Sequence, residues 1–181
     1  MSWQSPHRRP LPNWHTAPIL MGILNVTPDS FSDGGLAYSP EAAADRAEQL
    51  VAEGADILDL GAESTRPGAE PIDAATELSR LLPAIAAVRR RLPDIPLSVD
   101  TYKAEVAAAC IAAGADVIND VEGGSHEADP TGSPMARTCA RLGCPLILMH
   151  RRKEPNYKDF WPEILAETNH LIQRARAAGL P

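Results

Sequence analysis

The chain has 181 residues, 44% of them hydrophobic and 23% charged, the profile of a globular protein with a substantial core. Seventeen Lys and Arg against twenty-four Asp and Glu leave a net charge of −7, which argues against a nucleic-acid partner, whose footprint is a basic excess. No apolar run approaches the ~18–20 residues that cross a bilayer, and residues 1–14 lack the apolar stretch of a secretory signal, so no membrane partner and a cytoplasmic location are expected.

A Pro-rich lead-in over residues 1–17 precedes one expected domain over residues 18–181. Within it, short apolar runs read as strands over Pro18–Leu24, Ala55–Leu60, Pro96–Val99, Ala115–Ile118 and Pro145–Met149. Between and after them, Ala-rich stretches of helical pattern cover Glu41–Glu53, Ala74–Arg91, Lys103–Ala113, Pro134–Leu142 and Trp161–Ala178. This alternation predicts βαβ units and a parallel sheet. The strand runs are apolar on consecutive residues, as expected where both faces are covered. Ser39-Pro40 supplies a helix N-cap with proline at the first helical position, and Gly54, Gly114, Gly143 and Gly179 each follow a helix. Residues 52–59 echo residues 112–119: helix end, glycine, strand, then a polar residue. Cys110, Cys139 and Cys144 form no zinc-binding or disulfide pattern and read as reduced, buried thiols.

A polar residue closes nearly every apolar run: Asn25, Asp59, Asp100, Asn119 with Asp120, and Met149-His150 at the fifth. In an α/β barrel the strand C-termini build the active site. Carboxylates and amides converging there can hydrogen-bond a planar heterocycle rich in N–H donors and ring acceptors. Two polar loops add to this: residues 26–35, with two acids and a glycine pair, and residues 63–68, where Arg66 sits between hydroxyls and a Pro-Gly turn, an arrangement suited to a phosphate or carboxylate. His150 reads as a structural histidine or a base. The run Arg151-Arg152-Lys153 reads as a phosphate contact or a solvated basic loop.

Met21-Gly22-Ile23-Leu24-Asn25-Val26-Thr27-Pro28-Asp29-Ser30-Phe31-Ser32-Asp33-Gly34-Gly35 resembles the first signature of the dihydropteroate synthases, and Leu60-Gly61-Ala62-Glu63-Ser64-Thr65-Arg66-Pro67-Gly68 resembles the second. Ser98-Val99-Asp100-Thr101, Val117-Ile118-Asn119-Asp120 and Leu148-Met149-His150 follow in the order of that family. The resemblance implies a (β/α)8 TIM barrel of the pterin-binding type. It also implies a folate-biosynthesis transferase that joins 4-aminobenzoate to a hydroxymethyl-dihydropterin diphosphate, releases pyrophosphate, and is a target of sulfonamides. It implies catalytic roles for Asp33, Arg66 and Asp59, and substrate contacts from Thr65, Ser64, Phe31, Asp100, Asn119 and Met149. Asn25 would contact a magnesium ion accompanying the diphosphate, and family members are usually homodimers.

The family's further segments do not occur in this sequence: a sixth-strand aspartate, a seventh-strand Ser-Arg-Lys and an eighth-strand Arg-x-His. The resemblance therefore implies a barrel truncated to about five βα units, against the about 250 residues of a complete one. Five strands leave both sheet edges with unpaired backbone groups, and the chain alone is expected to aggregate or to need a complementing chain. Two other functions stay open: a non-catalytic pterin-binding or interaction relic, and a methyl-folate corrinoid methyltransferase barrel, which would lack the Thr27-Pro28-Asp29-Ser30-Phe31 loop.

Overall fold

The computed structural model describes residues 3–27, 39–64, 70–123, 133–152, 154 and 156–181. Strand and helix alternate throughout: β1 (Met21–Asn25), α1 (Pro40–Ala52), β2 (Ile57–Gly61), α2 (Ala74–Arg91), β3 (Leu97–Asp100), α3 (Ala104–Ala112), β4 (Val117–Asp120), α4 (Pro134–Leu142), β5 (Leu146–Leu148) and α5 (Phe160–Ala177). Every strand pairing is parallel, and the order across the sheet is β1-β2-β3-β4-β5. Parallel neighbours need a crossover between them, and here each crossover contains a helix. Among the described residues no helix is long and apolar enough to cross a membrane.

Local chemistry sets the helix ends. Ser39 is extended and its side chain accepts from Ala42 N at 3.1 Å, with Pro40 opening α1. Asp73 caps α2 in the same way through Thr76 N at 2.7 Å. Gly143 closes α4 in the left-handed region at φ 67°, where a side chain would be strained.

The first four strands run past the apolar stretches that mark them in the sequence, whereas β5 is shorter than its Pro145–Met149 run and ends at Leu148. Backbone pairing takes Asn25, Asp100, Asn119 and Asp120 into the sheet itself. Their backbones are thereby held by the strand ladder rather than by a loop.

Register then sorts the side chains, because paired residues of parallel strands share a face. Leu24, Leu60, Val99 and Ile118 form one row on the helix-facing side. All are essentially inaccessible and share a core with Ala43, Leu81, Ile85, Val88, Val106 and Ile111. Burial on both faces holds throughout β2, whereas β1 alternates, and Ile23 on its other face is 66% exposed. On α5, Trp161 and Leu165 are similarly open at 68% and 65%. The outer elements thus expose apolar surface that the central strands bury.

The lead-in docks at the opposite end of the sheet from the strand C-termini. Asp116, fully buried just before β4, accepts from the Ser5 hydroxyl, from Arg9 Nη1 at 2.9 Å, from Arg89 Nη2 at 2.5 Å and from Leu97 N at 3.0 Å. His7 Nε2 lies 2.9 Å from the Ile111 carbonyl, and Arg9 also donates to the Pro93 and Gly114 carbonyls. Burial pushes the Arg89 guanidinium down to about 10, against the opposing pull of Asp116.

Candidate active site

Register places Asn25, Gly61, Asp100, Asn119 and Ile147 in one row across all five strands, on the face opposite the helix-packed core. The next row toward the strand N-termini is Ile23, Asp59, Ser98 and Val117. The C-terminal end of the sheet therefore presents an amide, a gap, a carboxyl and a second amide side by side, with a carboxyl beneath. The gap is Gly61: a Cβ there would lie 3.5 Å from Asn25 Oδ1 and 3.7 Å from Asp100 Oδ2.

Asn119 Nδ2 donates to Asp59 Oδ2 at 2.9 Å, tying the two rows together across β3. Asp59 is 6% exposed, and burial raises its pKa against the opposing interactions with the Ser98 hydroxyl and then the Asn119 amide. Among the described residues, Asp59 Oδ1 and its row neighbour Ser98 Oγ have no hydrogen-bond partner. Buried polar atoms in this state are costly unless a ligand or water completes them. Asp100 is pushed up to about 7, first by burial and then by the negative charges of Asp59, Glu77, Asp120 and Glu63. Near neutral pH its carboxyl can either donate or accept.

Met149 directly follows β5 and is 43% exposed. Its N–H donates to the Asp120 carbonyl at 3.2 Å. Its own carbonyl packs on Gly123, where a Cβ would come within 2.3 Å. Asp120 supports the turn beyond β4, its Oδ1 accepting from Glu122 N at 2.9 Å. Ser64 is exposed just beyond β2. Phe31, Asp33, Thr65 and Arg66 lie outside the described residues.

Of the basic run after β5, Lys153 lies outside the described residues, Arg151 is exposed, and Arg152 is occupied by partners on α5. Arg152 is committed to α5: it donates to both Glu167 oxygens through Nε at 3.0 Å and to Glu163 through Nη2 at 2.6 Å, and stacks 4.1 Å from the Tyr157 ring centre. Its pairing with Glu167, joined by His150 Nε2 at 2.6 Å, pulls the Glu167 carboxyl down to about 2. Arg151 pairs with Glu122.

One buried charged group lies beside the site without a signal in the sequence reading. Lys103 Nζ reaches Glu63 Oε2 at 2.5 Å and Glu77 Oε2 at 2.6 Å, while Tyr102 Oη donates to Glu63 Oε1 at 2.8 Å. Glu77 lies in the first turn of α2, where an acid is favourable, and is 1% exposed.

Among known proteins, the model of the family described as pterin binding enzyme matches residues 21–181. The chain belongs to this family of pterin-binding enzymes, and its architecture is α/β, comprising five βα units in TIM-barrel order. Its relatives include the dihydropteroate synthase of Bacillus subtilis (strain 168), 46% identical over 162 residues, which are 90% of this chain and 55% of that protein. The dihydropteroate synthase of Xanthomonas albilineans, solved with 4-aminobenzoic acid, superposes with a TM-score of 0.80 at 43% identity, covering 91% of this chain and 58% of that one. That of Yersinia pestis, solved as a sulfonamide drug complex, gives 0.79 at 38%, covering 92% and 60%. The chain thus spans between 55% and 60% of the length of these relatives.

Proposed function

We propose that this chain carries the pterin-holding part of a dihydropteroate synthase site. The observation that carries the reading is the row Asn25–Gly61–Asp100–Asn119 at the strand C-termini, with Asp59 hydrogen-bonded beneath it. Donors and acceptors fixed in one plane suit the edge of a flat heterocycle with N–H and ring-nitrogen groups. Asp100 and Asn119 hydrogen-bond that edge, Asp59 and Ser98 complete their unpartnered atoms against it, and Met149 packs on the ring.

The reaction breaks the C–O bond between the pterin methylene and the diphosphate. The amine nitrogen of 4-aminobenzoate then bonds to that carbon and loses its proton to water. Positive charge develops on the methylene as pyrophosphate leaves, and Asp33 on the first loop is assigned to stabilise it, with Phe31 covering the site. Arg66, with Thr65 and Ser64 beside it, is assigned to the leaving diphosphate and the benzoate subsite.

Asn25 fits a magnesium contact: it offers one exposed amide oxygen at the end of β1, beside the space left by Gly61. One hard oxygen is enough for an ion that takes its other ligands from water and phosphate. When bound, magnesium supplies neutralisation of the diphosphate charge. A homodimer, a cytoplasmic location and sulfonamide binding in the benzoate subsite belong to the same reading.

The test supplies 4-aminobenzoate, the pterin diphosphate and Mg2+ to the chain and measures released pyrophosphate. Release that stops when 4-aminobenzoate is omitted supports the synthase reading, and Asp33→Ala is then expected to slow the chemical step far more than it weakens pterin binding. The same assay separates this from a second reading, a pterin-binding chain without turnover. Pterin binding with no pyrophosphate released would favour it. Binding of neither substrate would overturn both.

A further inference from the structure

All three cysteines are free and buried, and their spacing in the sequence carries no disulfide pattern. The fold nevertheless brings two of them together. Gly143, left-handed at φ 67°, donates its N–H to the Ala140 carbonyl at 3.3 Å, and Cys144 N donates to the Cys139 carbonyl at 3.1 Å. Helices that close with this pair of bonds commonly pack the side chains of the two outer residues against each other. At the end of α4 both outer positions are cysteine. The 3.1 Å bond, with standard backbone dimensions, limits their Cα atoms to a separation of about 7 Å or less. A disulfide can span that range.

The two thiols are chemically unequal. Cys139 donates a hydrogen bond to the Cys144 sulfur, which raises the pKa of Cys139 and lowers that of Cys144 against the effect of burial. Cys144 is therefore the thiol that ionises first, and Cys139 the one that keeps its proton. Cys110 in α3 is the contrast: burial, with the charge of Glu77, pushes it up to about 12. Cys139 and Cys144 both line a cavity of about 500 Å³, walled also by Trp3, Trp14, Leu146 and Ile172. Cys144 is 2% exposed and Cys139 fully buried, so a reagent must be close to water in size to react there.

We propose that Cys139 and Cys144 are a redox-active dithiol, which a peroxide converts to a disulfide at the junction of α4 and β5. The Cys144 thiolate attacks one peroxide oxygen, breaking the O–O bond and forming a sulfenic acid; the departing hydroxide takes up the thiol's proton as water. The Cys139 sulfur then attacks the Cys144 sulfur, and its proton leaves with the sulfenic hydroxyl as a second water. The two thiols together lose two electrons, and the peroxide gains them. This site lies at the N-terminal end of β5, opposite the row of Asn25, Asp100 and Asn119, and is independent of the function proposed above.

The test treats the whole chain with hydrogen peroxide, alkylates the remaining thiols in denaturant and maps the peptides by mass. The untreated chain is expected to label at all three cysteines. The oxidised chain is expected to label at Cys110 alone, with Cys139 and Cys144 recovered as a linked pair that dithiothreitol reopens. Cys144→Ser is expected to slow the loss of Cys139 labelling by about tenfold or more, because the ionising partner is gone. In Cys139→Ser the sulfenic acid on Cys144 has no thiol to condense with, and dimedone is expected to trap it. Three thiols still labelling after peroxide, a bond to Cys110, a bond between two chains, or oxidation that dithiothreitol does not reverse overturns the proposal. So does linkage seen only when peroxide is added to the urea-unfolded chain, since the fold would then not be what joins the pair. Thiol counting in the unmodified chain needs no variant, so a substitution that fails to fold leaves the decision intact.

Discussion

Asn119 and Asp59 sit on strands that are not neighbours, yet the Asn119 amide donates to Asp59 Oδ2 at 2.9 Å. The bond spans β3 and leaves Asp59 Oδ1 without a partner among the described residues. One oxygen of the buried carboxylate is thus fixed and the other is available. Asn119→Ala removes the fixed partner as well, and about 1–3 kcal/mol of stability is expected to go with it. Urea denaturation reads this directly, and pterin affinity should fall in the same variant. An unchanged denaturation midpoint would show that the bond contributes nothing.

Asp100 carries a pH dependence of defined sign. Its folded pKa is about 7, against about 3.9 for an unfolded aspartate. Between those values the folded chain keeps a proton that the unfolded chain has released, so stability falls as pH rises and levels off above about 7. Asp100→Asn is therefore expected to raise the melting temperature, by more at pH 8 than at pH 5. Ligand affinity should run the other way in the unmodified chain, rising from pH 6 to pH 8, because ring N–H donors favour the ionised carboxylate. The asparagine variant should bind weakly and with a flat profile. A pH-independent affinity in the unmodified chain would remove Asp100 from the ring contact.

At the far end of the sheet, Asp116 collects Ser5, Arg9, Arg89 and Leu97 N. Replacing it with alanine strands a buried guanidinium, and the expected loss is about 3–5 kcal/mol, the scale for breaking a buried pair from one side. Arg9→Ala is expected to cost less, because Arg89 remains to pair with Asp116. Chemical denaturation of both variants checks the ranking, and an equal effect would show that the lead-in matters as much as α2.

The apolar surface on β1 and α5 predicts self-association. Ile23, Trp161 and Leu165 are large apolar side chains, each about two-thirds exposed, and exposed apolar surface favours association. Sedimentation is expected to show mass rising with concentration, and a paired Trp161→Lys, Leu165→Lys variant to reduce it. A sharp two-state melt from a species sedimenting as a monomer would count against this.

Much of this molecule is determined by its sequence alone. Most elements are marked by local rules: apolar runs too short for helices, serine or aspartate before α1, α2 and α4, glycine soon after α1, α3, α4 and α5. Those rules act over a few residues, so α2 and α4 have the bounds that their periodicity predicts. The polar residue closing each strand pointed to Asn25, Asp100 and Asn119 for the same local reason, whereas Asp59, expected to close the second strand, is the central residue of β2, which ends at Gly61. What the tertiary structure decided is which of these meet. Register, a property of strand pairs, brings Asn25, Gly61, Asp100 and Asn119 into one row and drops Asp59 below it. Burial, a property of the whole packing, turns Asp116 into the anchor of the lead-in and Glu77 into half of a bridge. Arg152 shows the converse: a basic run in the sequence, but in the fold a side chain occupied by two glutamates from the next helix. A charge is written in one residue, whereas its partner comes from packing that brings distant segments together.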